Sequence, residues 1–106
     1  MPINIRKHSD ETIEKIATAL ERFHADHPEA QIDLYRQNPV SVRVRIIDAC
    51  FMGRAKAERS RMAWKYLADL PDGADADISM LVLLTPEETV KSFSNVEFED
   101  PVPSRL

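Results

Sequence analysis

The chain has 106 residues, 43% of them apolar and 30% charged, with a net charge of −4. That length fits one domain rather than two, and that balance excludes an intrinsically disordered chain. No apolar run nears the ~20 residues that a membrane-spanning helix needs, and the opening Met1-Pro2-Ile3-Asn4-Ile5-Arg6-Lys7 lacks the apolar stretch of a secretion signal.

The first clear element is a helix capped by Ser9 or Asp10, because either side chain can accept a backbone N–H. Ile13, Ile16, Ala17, Leu20 and Phe23 recur at helical spacing and give it one apolar stripe, until His27-Pro28 stops it. Two strands follow. Ile32 and Leu34 alternate with Asp33 and Tyr35, and Val40, Val42, Val44 and Ile46 alternate with Ser41, Arg43 and Arg45. Only a short turn around Asn38-Pro39 separates them, which predicts an antiparallel hairpin. Arg43 and Arg45 then leave the sheet on the face opposite the valines.

A second helix is expected over about 54–68, with Ala55, Met62, Ala63, Tyr66, Leu67 and Leu70 supplying its inner face and Arg54, Arg61 and Lys65, with Glu58 among them, its outer side. Pro71-Asp72-Gly73 then breaks the chain in a turn made acidic by Asp69, Asp72, Asp75 and Asp77. Residues 78–84 are almost continuously apolar and read as a buried strand. Thr85-Pro86-Glu87-Glu88 is a helix start: threonine caps, proline takes the first helical position, and Glu88 reaches back to the cap's own N–H. A short helix should run to about Phe93. Residues 94–106 form a proline-containing, acidic tail that packs on the domain of residues 1–93 or trails from it, with Phe93, Val96 and Phe98 as its apolar anchors. The expected class is α+β, ordered helix-strand-strand-helix-strand-helix, with a three-stranded sheet carrying its helices on one face.

Cys50 is the only cysteine. An internal disulfide is therefore excluded, a reducing, cytoplasmic compartment is expected, and multi-thiolate metal sites made by this chain alone are ruled out. His24 and His27 stand three apart, a spacing that can share a metal, but Pro28 ends the helix and no third donor is near in sequence. With His8, they read as solvated residues around the first helix and its exit. Charge is unevenly spread. Residues 36–65 hold eight basic residues (Arg36, Arg43, Arg45, Arg54, Lys56, Arg59, Arg61, Lys65) against Asp48 and Glu58, so this stretch is +6 and the remainder −10. Such polarity steers charged partners.

The run Phe51-Met52-Gly53-Arg54-Ala55-Lys56-Ala57-Glu58-Arg59-Ser60-Arg61-Met62 resembles the central signature of the BolA family. That signature is a phenylalanine, a glycine two residues on, and an arginine–histidine–arginine triplet opening an amphipathic helix. Asp48, Trp64, Tyr66, Leu67 and the strand running into Thr85-Pro86-Glu87-Glu88 extend the likeness over about residues 10–92. The resemblance implies a KH-like fold. It also implies a small regulator that pairs with a monothiol glutaredoxin and shares an iron–sulfur cluster with it, or that binds DNA. Three departures mark the chain as divergent. Ser60 replaces the triplet histidine, Asp77 stands where a further histidine is expected, and the loop of the first hairpin is only Asn38-Pro39. A carboxylate is a poor ligand for such a cluster, so no cofactor is assigned. Cys50 and Asp77 remain as metal candidates without a site.

KH domains clamp a nucleic-acid backbone with a Gly-x-x-Gly loop. Here Gly53-Arg54-Ala55-Lys56 has lysine in the second glycine's place. Catalysis is not expected. Ser60 has no nearby histidine partner, and the acidic turn lacks the ligand order of a calcium loop. The Ser104-Arg105-Leu106 terminus fits a peroxisomal address pattern that is common by chance. The expected function is therefore a BolA-like adaptor that binds a protein partner, without the usual cluster ligands. The alternative is a KH-like nucleic-acid binder. Gly53, Ser60 and Trp64, with Arg43, Arg45, Arg54, Lys56, Arg59 and Arg61, form the expected binding surface.

Overall fold

The computed structural model describes residues 3–6, 8–68 and 70–99, without the side chains of Asp72, Phe93 and Ser94. Asp69 of the acidic turn and the Ser104-Arg105-Leu106 terminus lie outside the described residues, as do the side chains of Asp72 and Phe93. Four strands form one mixed sheet in the order β1-β2-β3-β4: β1 (Ile3–Ile5), β2 (Gln31–Asn38), β3 (Ser41–Ile47) and β4 (Ile78–Leu84). The hairpin β2–β3 is antiparallel, as its short turn predicts. Each outer strand runs parallel to its neighbour.

The class is α+β, but the sheet has one strand more than the three expected. Ile3 and Ile5 lie opposite Ile32 and Leu34. A three-residue strand shows too little alternation to be read from sequence, and only its parallel pairing with β2 reveals it. Helix α1 (Glu11–Asp26) joins β1 to β2, and α2 (Lys56–Leu67) joins β3 to β4, the crossover that parallel neighbours require. Asp10 caps α1 by accepting the Ile13 N–H at 2.9 Å. The stripe Ile13, Ile16, Leu20 and Phe23 is fully buried against Ile32, Leu34, Val42, Val44 and Ile46, with Phe51, Ala63 and Leu67 closing the same core.

The helices do not all lie on one face. After Thr85 a short 3₁₀ turn, Pro86–Val90, replaces the expected helix, and a third helix, α3 (Phe93–Glu99), follows on the opposite side of the sheet. There Phe98 is fully buried with Tyr35 and Val82, while Val96 is 60% exposed. Tyr35 donates its hydroxyl to the Phe98 carbonyl at 3.0 Å and meets its ring edge-on, with centroids 4.9 Å apart. Residues through Glu99 thus belong to the packed body.

This second face is unusual in being built around charge. Asp33 and Arg45, opposite one another on β2 and β3, are each 2% exposed. Arg45 donates to Asp33 through Nη2 at 2.7 Å and Nε at 3.2 Å, and Asp33 also accepts from Asn4 at 3.0 Å. Arg45 then reaches across to α3, where it meets Asn95 at 2.9 Å, pairs with Glu99, and stacks over the Phe98 ring at 4.7 Å. A carboxylate and a guanidinium survive burial only because each is paired and hydrogen-bonded.

Removing one member strands the other. Asp33→Leu or Arg45→Met alone is expected to destabilise the fold by about 3–5 kcal/mol in urea unfolding, and the double variant to recover most of that loss. Simple additivity of the two losses would show that the pair is not coupled.

Candidate functional site

Four consecutive faces of α2 decide what the chain can offer a partner. Arg59, Ala63 and Leu67, spaced four apart, are buried. Lys56, Ser60 and Trp64, at the same spacing one step round, line a groove of about 500 Å³ whose far wall is Leu81, Val82, Leu83 and Leu84 of β4. Met62 and Tyr66 turn towards the core, and Arg61 and Lys65 face solvent. The groove continues past Arg54 and Lys56 to Glu87 and Lys91. Trp64 is half-buried, its ring packed partly on the core.

β4 is an edge strand, so alternate residues aim their backbone groups away from the sheet. The Leu84 carbonyl accepts the Asp48 N–H at 2.9 Å, on the β3 side. The Leu83 carbonyl points outward and is taken by Arg59 Nη1 at 3.0 Å. By the same strand alternation the N–H and carbonyl of Leu81, two residues earlier, belong to that outer side, and Leu81 lines the groove together with Trp64. The groove therefore sets an apolar lining beside one residue's strand-type hydrogen-bonding groups.

Arg59 is held in place by a second system. It donates to Glu88 at 2.6 and 3.1 Å, while Glu88 accepts the Thr85 N–H at 2.9 Å. The capping box expected from Thr85-Pro86-Glu87-Glu88 is present, and its glutamate also anchors α2. The Arg59 guanidinium, followed by the Thr85 N–H, holds the Glu88 carboxyl down at about 2, against an ordinary 4.5.

The expected basic surface is largely spent inside the fold. Arg43 pairs with Glu97 at 3.2 Å, Arg45 with Asp33 and Glu99, and Arg59 with Glu88. Arg36 binds Asp10 and Asp77. Arg54 pairs with Glu58 at 3.2 Å and also donates to the Cys50 carbonyl at 3.1 Å. Lys56, Arg61 and Lys65 stand exposed. Gly53 takes φ +74°, a left-handed turn that glycine adopts freely, with open space around it. It turns the chain out of the 3₁₀ segment Ala49–Phe51 towards α2.

Neither Ser60 nor Asp77 offers a ligand suited to an iron–sulfur cluster. Ser60 offers a hydroxyl, and the Asp77 carboxylate is engaged by Arg36 at 3.5 Å. Cys50 does not line the groove itself, although its carbonyl is held by Arg54 at the groove's far end. It lies beside Asp48 and His27, with donor atoms of all three within 4.8 Å of one another. Burial, then the Asp48 carboxylate, push its thiol up to about 12, so it is a neutral thiol near pH 7 rather than a nucleophile. His27 is half-buried rather than solvated: its ring stacks on Phe23 with centroids 4.3 Å apart, and Nδ1 lies 3.1 Å from the Phe23 carbonyl oxygen. Sequence spacing does not reveal this trio, because His27 is supplied from across the fold.

No protein-family model matches the chain, and no curated protein does. Among solved structures, the solution structure of the XC975 protein is similar, with a TM-score of 0.52 and 25% sequence identity over 78% of this chain and 98% of that one. The likeness is one of α+β fold. In addition, no helix among the described residues is long and apolar enough to cross a membrane.

Because the folded Glu88 carboxyl titrates below its unfolded value, its stabilising effect is complete above about pH 4.5 and disappears as pH falls through about 2. Thermal unfolding followed from pH 6 down to pH 2 should show (taking roughly the unfolded and folded pKa as bounds) a gap between wild type and Glu88→Gln that narrows with acidity. A gap that stays constant would mean that the carboxylate's charge is irrelevant.

Proposed function

We propose that this chain is a BolA-like, KH-related adaptor domain whose working surface is the groove between α2 and the free edge of β4. Its occupant is an extended segment of a protein partner, added as a strand along Leu81 with an apolar side chain against Trp64. The observation that carries this reading is the alignment of Lys56, Ser60 and Trp64 along one side of an open strand edge. Strand addition takes its affinity from main-chain hydrogen bonds and its specificity from pockets for alternate side chains. Tryptophan at the centre of such a contact is the residue type most often dominant in binding. Exposed Lys56 and Lys91 at the groove mouth favour an acidic residue flanking the apolar one.

The BolA resemblance makes a monothiol glutaredoxin the first partner class to try. It does not require a shared cluster, since Ser60 and Asp77 are unsuited to one. No catalytic role is proposed for any residue.

Nucleic acid is the second reading, favoured by the left-handed turn at Gly53 and by exposed Lys56, Arg61 and Lys65. It is the weaker of the two because Arg43, Arg45 and Arg59 are committed to internal carboxylates. A backbone-binding protein draws its affinity from cations free to meet phosphates.

Trp64 is the chain's one tryptophan, so its fluorescence reports occupancy of the groove directly. Titration with a monothiol glutaredoxin should shift its emission. In wild-type calorimetry that binding should be retained at raised salt, with at least a roughly ten-fold loss in Trp64→Ala, the scale of a hot-spot truncation. Ser60→Arg, which fills the groove, should also block it. Binding that both variants leave intact would sink the groove assignment. A shift with single-stranded oligonucleotide that vanishes steeply with salt, and none with protein, would favour the second reading.

A further inference from the structure

We infer that His27, Asp48 and Cys50 form a three-ligand site for a single divalent metal ion of the zinc type. The three residues come from separate points of the fold. His27 follows the last turn of α1, Asp48 ends the run of β3, and Cys50 sits in the short 3₁₀ segment before α2. Their donor atoms nevertheless converge to within 4.8 Å of one another. Four-coordinate zinc with nitrogen, oxygen and sulfur donors holds those atoms about 3.5 Å apart. The remaining gap of about 1 Å is of the size that side-chain rotation can close.

Three features beyond proximity support the site. First, the donor set is one nitrogen, one oxygen and one sulfur, a mixture suited to zinc or cobalt and poorly suited to magnesium or calcium. Second, His27 Nδ1 lies 3.1 Å from the Phe23 carbonyl. An oxygen there can only accept, so Nδ1 carries the proton and Nε2 the lone pair, as in metal-bound histidines whose other nitrogen donates to a backbone carbonyl. Stacking on Phe23 fixes the ring plane. Third, Asp48 is only 7% exposed. On metal binding the Cys50 thiol releases its proton to solvent, and a divalent cation then meets one carboxylate, one thiolate and one neutral imidazole. The buried charge sums to zero, which is the condition for a low-dielectric site. A water molecule would complete the fourth position.

Such an ion would tie the end of α1 to the link that leads through Gly53 into α2. The site is separate from the β4 groove, so it stands or falls independently of the adaptor reading.

Cobalt is the probe. The chelator-treated full chain is titrated with Co²⁺ and read for tetrahedral d–d bands and the near-ultraviolet thiolate-to-cobalt charge-transfer band. One equivalent should produce both, and Zn²⁺ should abolish both by displacement. Cys50→Ser should lose the charge-transfer band, and His27→Gln should lose tight binding. Circular dichroism of Cys50→Ser, a near-isosteric change, verifies that the fold is kept. Wild type without a charge-transfer band at excess Co²⁺ would overturn the site. So would d–d bands unchanged in Cys50→Ser, which would place the metal on surface histidines.

Discussion

The buried pairing of Arg45 with Asp33 governs how the two faces of this sheet differ. On one face, aliphatic side chains from β2 and β3 meet α1 and α2, and apolar burial supplies the stabilisation. On the other, a guanidinium sits at the same depth and must be satisfied. Its partners are spread over two elements: Asp33 on β2, and Asn95 and Glu99 on α3. α3 is therefore held as much by Arg45 as by Phe98. Such an arrangement adds little net stability over an apolar core. It does favour one position for the helix, since any other would leave Arg45 Nη1 without Asn95 and Glu99.

The same economy reshapes the protein's outward charge. Eight basic residues concentrated between positions 36 and 65 look, in one dimension, like a surface for polyanions. In three dimensions Arg36, Arg43, Arg45 and Arg59 act as internal connectors, each joining a strand or helix to an acidic residue far along the chain. What remains exposed is Lys56 at the groove, with Arg61 and Lys65 facing solvent on another side of α2.

The fold is legible in the sequence wherever periodicity runs long enough to count. The α1 stripe, the β2–β3 hairpin with Arg43 and Arg45 on one face, and the Thr85-Pro86-Glu87-Glu88 cap all depend on neighbours within a few residues. Trp64 likewise falls outside the apolar spacing of Ala63 and Leu67 on α2. The misses share one cause. β1 is three residues long, and α3 covers the sheet through Phe98, Glu97 and Glu99, whose targets lie more than fifty positions earlier. Nothing local in Glu99 foretells Arg45. The convergence of His27 on Asp48 and Cys50 is invisible for the same reason, since the sequence neighbours of His27 suggest a solvated ring and only the fold brings it against Phe23 and the Cys50 segment.

The strand order carries a consequence for how the chain reaches this state. The one antiparallel pair, β2–β3, is closed by a two-residue turn, whereas β1 and β4 must each wait for a whole helix to span the crossover. Closing a loop costs more entropy the longer it is. The hairpin is thus the natural seed, with α1 and α2 bringing the outer strands to it from either side. α3 comes last, because the surface it covers exists only once β3 and β4 lie side by side. Loop-closure entropy thus favours assembly from the middle of the sequence outward, with the charge around which one whole face is organised buried at the end.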